Sequence, residues 1–152
     1  MKLSGSHTVP GEPPRVYALL LDPAVLCRSI PGCTDLAPAG PDEYKMRMNV
    51  VISSLSGAFE GSMRVAAQSP PRSFRLLVDG KGRPGFVKGD GTLTLSPNGS
   101  ATEVGYEGEF QAGGLIAGVG QRLLEVTAKT MIRRFFDKVA AEAAGAERGT
   151  SG

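Results

Sequence analysis

Two hydrophobic periods divide this chain, and the point where one gives way to the other restricts the fold more than any other feature. From Cys33 to Phe110 apolar residues recur at every second position, with turn residues every 8 to 14 positions. Met46, Met48, Val50 and Ile52 fall on one side of "EYKMRMNVVIS", and Lys45, Arg47 and Asn49 on the other. Phe59, Met63 and Val65 alternate with Glu60, Ser62 and Arg64; Phe74, Leu76 and Val78 alternate with Arg75 and Asp79, Leu77 being the exception. Val104, Tyr106 and Phe110 face away from Glu103, Glu107 and Glu109, and "SPNGS" at 96–100 is a hairpin signal. Side chains alternate faces along a strand, so such runs with short links predict an antiparallel meander with one apolar face. After "AGG" at 112–114 the spacing becomes that of a helix. Ile116, Val119, Leu123, Thr127, Met131, Phe135 and Val139 form one stripe, widened by Leu124, Ala128, Ile132 and Phe136, which predicts one long amphipathic helix.

Ahead of the meander, "LSGSHTV" puts Leu3, Gly5, His7 and Val9 on one face of a half-buried strand. "PGEPP" interrupts the chain, and "PRVYALLLD" follows as a short helix, with proline tolerated in a first turn whose N–H groups have no intrahelical partner. Asp22 before Pro23 repeats the start signal for "PAVLCRSI", which "IPGC" stops. The order is strand, two short helices, six strands and a long helix, an α+β layout with the helices on one face of the sheet. The length, 152 residues, suits one domain over 1–145 with a short polar tail at 146–152.

Composition narrows the function classes. Seventeen Lys and Arg stand against fifteen Asp and Glu, spread without a basic block, and there is no Trp; both argue against nucleic acid as a partner. The longest apolar run, "VYALLL", is far short of the roughly 20 residues that span a bilayer. "MKLSGSHTV" lacks the apolar core of a secretion signal, so the expectation is a cytoplasmic, reducing compartment.

Few residues carry chemistry. His7 is the only histidine and shares a face with Leu3 and Val9, which suits a core or cavity wall better than a catalyst. No metal site is expected from one histidine and two cysteines, and no G-x-S-x-G elbow is present. Glu103, Glu107 and Glu109 lie on the wet side of their strand, where nothing would separate their pKa values for acid–base work. "DGKGRPGFVKGDG" at 79–91 matches neither phosphate-binding spacing and reads as a glycine-dependent hairpin. Cys27 and Cys33 are not a C-x-x-C pair, and both read as small hydrophobes flanking the "SIPGC" turn. Met46, Met48 and Met63 are more informative, because methionine lines adaptable apolar surfaces. A curved sheet face under one helix leaves volume for an apolar pocket.

The stretch "PPRVYALLLDPAVLCRSIPGC", with "GKGRPGFVKGDGTLTL" and "GGLIAGVGQRLLEVTAKTMIRRFF", resembles the carbon monoxide dehydrogenase CoxG family, within the START-like (SRPBCC) helix-grip superfamily. The resemblance runs from about residue 2 to 144. Tyr17 stands where the family commonly has Trp, and Ser29 where it has the first Cys of Cys-Ile-Pro-Gly-Cys. The resemblance implies a curved seven-stranded antiparallel sheet wrapped around the C-terminal helix, with an apolar cavity between them. It also implies a non-enzymatic accessory role beside a carbon monoxide dehydrogenase-type molybdenum hydroxylase, in maturation, membrane recruitment or electron-acceptor delivery. The expected ligand is a hydrophobic small molecule, a lipid or quinone, with no cofactor, no catalytic residue and no metal, and with peripheral contact at the inner face of the membrane. Strand parity and the helix stripe assign its pocket to Met46, Met48, Phe59, Met63, Phe74, Leu76, Phe86, Tyr106, Phe110, Ile116, Val119 and Leu123. Two alternatives stay open: a docking protein whose pocket is filled by side chains, and a small helix-grip enzyme such as a polyketide cyclase, which would need His7, Tyr44 or Tyr106 to converge.

Overall fold

In the computed structural model, which describes residues 1–151 and side chains through Gly145, strand β1 (Lys2–Pro10) leads to helices α1 (Pro13–Leu20) and α2 (Pro23–Ser29). Six strands follow: β2 (Cys33–Gly40), β3 (Glu43–Ile52), β4 (Leu55–Ser69), β5 (Ser73–Gly82), β6 (Gly85–Asn98) and β7 (Ala101–Gly113). A 3-10 turn over Gly114–Val119 then precedes the long helix α3 (Gln121–Ser151). The expected polar tail at 146–152 lies outside the residues with described side chains.

All seven strands form one antiparallel sheet in the order β1-β7-β6-β5-β4-β3-β2, so β1 and β2 are its two edges. The α1–α2 pair carries the chain from one edge to the other, and α2 packs on both β2 and α3. Local chemistry sets these short helices. Prolines occupy the first turn of each, and the Asp22 carboxylate accepts from the backbone N–H of Ala24 at 2.9 Å. Gly32, at φ +81°, turns the chain out of α2, and Asn49 N–H donates to its carbonyl at 2.9 Å. Thr102 Oγ1 donates to Gly11 O at 2.8 Å in a buried contact that ties the start of the helix pair to β7.

The core has two parts, one at each end of α3. Val9, Val16, Tyr17, Leu20, Val65, Phe74, Leu95 and Val104 pack with Phe136, Val139 and Ala143 toward the C-terminal end. Ile52, Phe59 and Ile116 pack with Leu124 toward the other. The parity read from sequence holds through both faces of the sheet, and Glu103, Glu107 and Glu109 are exposed as expected.

Two local expectations change. The expected helix does not run unbroken from Ile116: Gly120 sits at φ +96°, so Ile116 and Val119 belong to the 3-10 turn and α3 begins after it. This rotates the buried stripe of α3 onto Leu124, Phe136, Val139 and Ala143, and leaves Leu123 39% exposed. The Gly-rich stretch at 79–91 is not a long loop; only Arg83 and Pro84 turn, and its glycines lie in β5 and β6. Glycines carry no apolar signal, so alternation is invisible there in the sequence.

Candidate functional site

The inner face of the sheet, the one turned toward α3, is unusually bare at its centre. Registry through Phe74↔Leu93, Val78↔Gly89 and Leu93↔Tyr106 places Gly61, Gly80, Gly89, Gly91 and Gly108 on the same face as Met63, Phe74 and Tyr106. Glycine is required at two of these by close backbone approach. A Cβ on Gly61 would overlap the Asp79 carbonyl oxygen, and one on Gly108 would stand 2.7 Å from that of Asp90. The strands therefore approach closely where the side chains are missing, and the missing side chains leave room beneath α3.

Around this bare strip the inward-facing residues are apolar yet only half-buried. On the sheet they include Tyr44, Met46, Met48, Leu76, Val78, Leu93, Tyr106 and Phe110; on α3 they include Ala128, Met131, Ile132 and Phe135. Residues that point at an opposing layer and still meet solvent bound a space rather than a sealed core. That space lies between the two packed clusters at the ends of α3. Other hollows are of a different kind. One of about 520 Å³ is lined chiefly by outer-face residues such as Arg64, Asp79, Lys88 and Asp90, and one of about 610 Å³ lies beside Phe86 at the β5–β6 hairpin. The first is edged by polar pairs, Arg75 Nε donating to Asp90 at 2.8 Å and Ser62 Oγ to Asp79 at 3.1 Å. The Arg75 guanidinium holds the Asp90 carboxyl below its ordinary range.

Of the residues assigned to the pocket from sequence, Phe59, Met63, Phe74 and Ile116 are buried. Met46, Met48, Leu76, Tyr106, Phe110 and Val119 are half-buried. Phe86 is corrected: pairing with Lys81 and Gly113 puts it on the outer face, 44% exposed, with its ring over Gly113. Leu123 is corrected too, since the break at Gly120 turns it outward. Tyr44, Val78 and Leu93, outside that assignment, share parity with its members. Met131, Ile132 and Phe135 have a signal in the helix stripe.

The polar groups of the interior are few. His7 stacks on Phe136 with ring centroids 4.6 Å apart and on Tyr106 at 6.0 Å, so it forms a cavity wall of three rings. Burial raises the pKa of the Tyr106 phenol. Tyr17 Oη donates to Ser73 O at 3.1 Å at the closed end, and burial raises its pKa as well. Stacked faces do not align a proton donor with an acceptor, so His7 and Tyr106 lack the geometry of an acid–base pair. Among the described residues no three His, Cys, Asp or Glu side chains gather to hold a metal, and no helix is long and apolar enough to cross a membrane.

Spacing alone makes the two cysteines unrelated hydrophobes, but the fold brings them together. Cys27 Sγ and Cys33 Sγ are 3.1 Å apart across the turn that ends α2. Burial first, and then the neighbouring Cys27, push the Cys33 thiol up to about 12. Ser29, at the family's cysteine position, is fully buried with an unpartnered hydroxyl.

Solved structures with the same arrangement cover nearly the whole chain. A conserved protein from Geobacillus kaustophilus is 35% identical, with a TM-score of 0.91 over 95% of this chain and 96% of its own. A Chromobacterium violaceum protein is 18% identical, with a TM-score of 0.70 over 93% of this chain and 96% of its own. A Streptomyces aromatase/cyclase is 13% identical, with a TM-score of 0.71 over 100% of this chain and 98% of its own, a likeness of fold. No curated protein sequence matches. The carbon monoxide dehydrogenase CoxG family matches residues 5–144, and with the helix-grip architecture around a half-open apolar interior, the chain belongs to that family.

Proposed function

We propose that this protein is a non-enzymatic carrier of a hydrophobic small molecule, lipid or quinone-like, which serves a carbon monoxide dehydrogenase-type molybdenum hydroxylase in maturation, membrane recruitment or electron-acceptor delivery. The observation that carries the ligand reading is the half-buried apolar lining around a glycine-bare sheet centre. Such a site offers an apolar ligand a large area to bury and few polar groups to orient a reaction. The hydroxylase as partner rests on family membership. Native mass spectrometry after gentle extraction, followed by titration with a lipophilic dye and a short-chain quinone, tests this reading. Retained mass or saturable uptake is expected. A ligand-free protein that takes up neither probe overturns it and favours a docking protein with a filled interior.

A second feature supports contact with an anionic bilayer. The β3–β4 hairpin, the β5–β6 hairpin and the 3-10 turn meet at one end, where Ile116 N–H donates to Pro84 O at 2.8 Å and Pro84 lies beside Gly57. Val51 and Leu115 stand out there at 73% and 62% exposure. The segments 49–58, 80–89 and 110–124 that build this end contain Lys81, Arg83, Lys88 and Arg122 and no Asp or Glu. The remainder of the chain carries 13 basic against 15 acidic residues, so the charge is polarised toward the apolar tip. Apolar residues ringed by cations suit a negatively charged lipid surface. Co-sedimentation with phosphatidylglycerol vesicles is expected to exceed that with phosphatidylcholine and to fall for Leu115→Asp. Equal, salt-independent binding to both overturns the contact.

A further inference from the structure

We infer that Cys27 and Cys33 form a reversible intrachain disulfide site that staples α2 to the edge strand β2, with a low-molecular-weight disulfide as the oxidising substrate. The two sulfurs are 3.1 Å apart without a bond, so about 1 Å of approach reaches the bonded distance of about 2.05 Å. This proximity is held by backbone on both sides. Ile30 N–H donates to Leu26 O at 2.8 Å and Cys33 N–H to Ile30 O at 3.1 Å, which closes the end of α2. Cys33 is paired with Met48 in the sheet, and the Gly32 carbonyl accepts from Asn49 N–H. Both thiols are half-buried, open enough for a small oxidant and too recessed for easy pairing between two chains.

The position gives the bond a purpose. β2 is an edge strand with register shifts at both ends, and edge strands are the weakly held part of a sheet. α2 is already tied to α3 through Arg28 Nε donating to Glu142 at 2.7 Å. A bridge from Cys27 to Cys33 joins β2, α2 and α3 into one unit along the open margin of the sheet.

The chemistry is thiol–disulfide exchange. Because burial and Cys27 keep Cys33 protonated, Cys27 is the first nucleophile. Its sulfur, having given its proton to solvent, attacks one sulfur of oxidised glutathione and expels one glutathione thiolate, leaving a mixed disulfide. The Cys33 thiol then attacks the Cys27 sulfur, its proton passing to the second departing glutathione. One protein disulfide and two glutathione molecules result from two protein thiols and one glutathione disulfide.

The full chain, incubated with oxidised glutathione and then with dithiothreitol, provides the test. The expected result is a fall from two titratable thiols to none, loss of two hydrogen masses in a monomer, a peptide joining residues 27 and 33, and full reversal by the reductant. Amide exchange across 26–34 is expected to slow in the oxidised form, and Cys27→Ser is expected to give no bridge. A stable glutathione adduct on either cysteine, a disulfide-linked dimer, two thiols that stay free, or a bridge that leaves exchange across 26–34 unchanged would each overturn the inference.

Discussion

Replacing Gly80 by Leu puts a side chain where the inner face of the sheet has none, and the sign of the result measures how empty the interior is. A Cβ built at Gly80 meets nothing nearer than Phe59 Cδ1 at 3.8 Å, Glu60 O at 3.9 Å and Phe59 Cβ at 4.0 Å, all ordinary contacts. Its cross-strand neighbours on that face are Gly61 and Val87, one of which has no side chain at all. Removing a glycine from a strand interior contributes about 0.5–1 kcal/mol. Full burial of a leucine side chain is worth roughly 1.5–3 kcal/mol, so a half-buried one adds about 1 kcal/mol. The sum, about 1.5–2 kcal/mol of stabilisation, raises the midpoint of thermal unfolding by roughly 4–6 °C in a domain of this size. Thermal circular dichroism and dye titration on the same sample read both consequences: a higher midpoint and reduced uptake. If the interior is already filled, the added side chain overpacks it and costs about 1–3 kcal/mol. A lowered midpoint with dye uptake unchanged refutes the open-interior reading.

Gly32→Val is expected to destabilise by at least about 2 kcal/mol, because a β-branched residue is strained at φ +81° and its Cβ overlaps the Asn49 carbonyl oxygen; denaturant unfolding checks this, and dye uptake should fall with it, whereas Cys27→Ser with Cys33→Ser should spare uptake. Ser29→Ala is expected to be neutral or stabilising by up to about 1 kcal/mol, since it removes a fully buried hydroxyl with no partner; a loss of more than that in urea unfolding would show that the hydroxyl is satisfied. Folded Cys33 holds its proton more tightly than an ordinary thiol, so stability is intact below the ordinary range and is lost as pH rises from about 9 to about 12. Cys33→Ser should flatten that alkaline slope, and identical slopes for the two proteins would contradict the assigned burial.

The family resemblance and the element order are legible in the sequence because both rest on local signals. Alternation in "EYKMRMNVVIS" and "ATEVGYEGEF" assigns faces to β3 and β7, since side-chain direction in a strand follows from position alone. Asp22-Pro23 and "SPNGS" mark a helix start and a hairpin for equally local reasons. Most of the pocket assignment follows from the same parity, and ten of its twelve residues do lie on the inner face or pack behind it.

Local pattern stops where side chains stop or where an element's rotation depends on its neighbour. Phe86 escapes a parity reading because the glycines around it carry no hydrophobic signal, so only its registry with Lys81 and Gly113 reveals which way it points. Leu123 escapes it because one residue, Gly120, sets the phase of α3, and the helical spacing reads alike in either phase. The space under α3 has no sequence signal at all: an absent side chain becomes a cavity only when strands distant in sequence align their glycines on one face. The two cysteines make the same point. Their spacing matches no motif, and a helix end, a positive-φ glycine and an edge strand together bring the sulfurs to 3.1 Å. Sequence alone determined which elements form and which faces are apolar, because those depend on neighbours a few residues apart. Tertiary structure decided where the interior stays open and which thiols meet, because both depend on the register of distant segments.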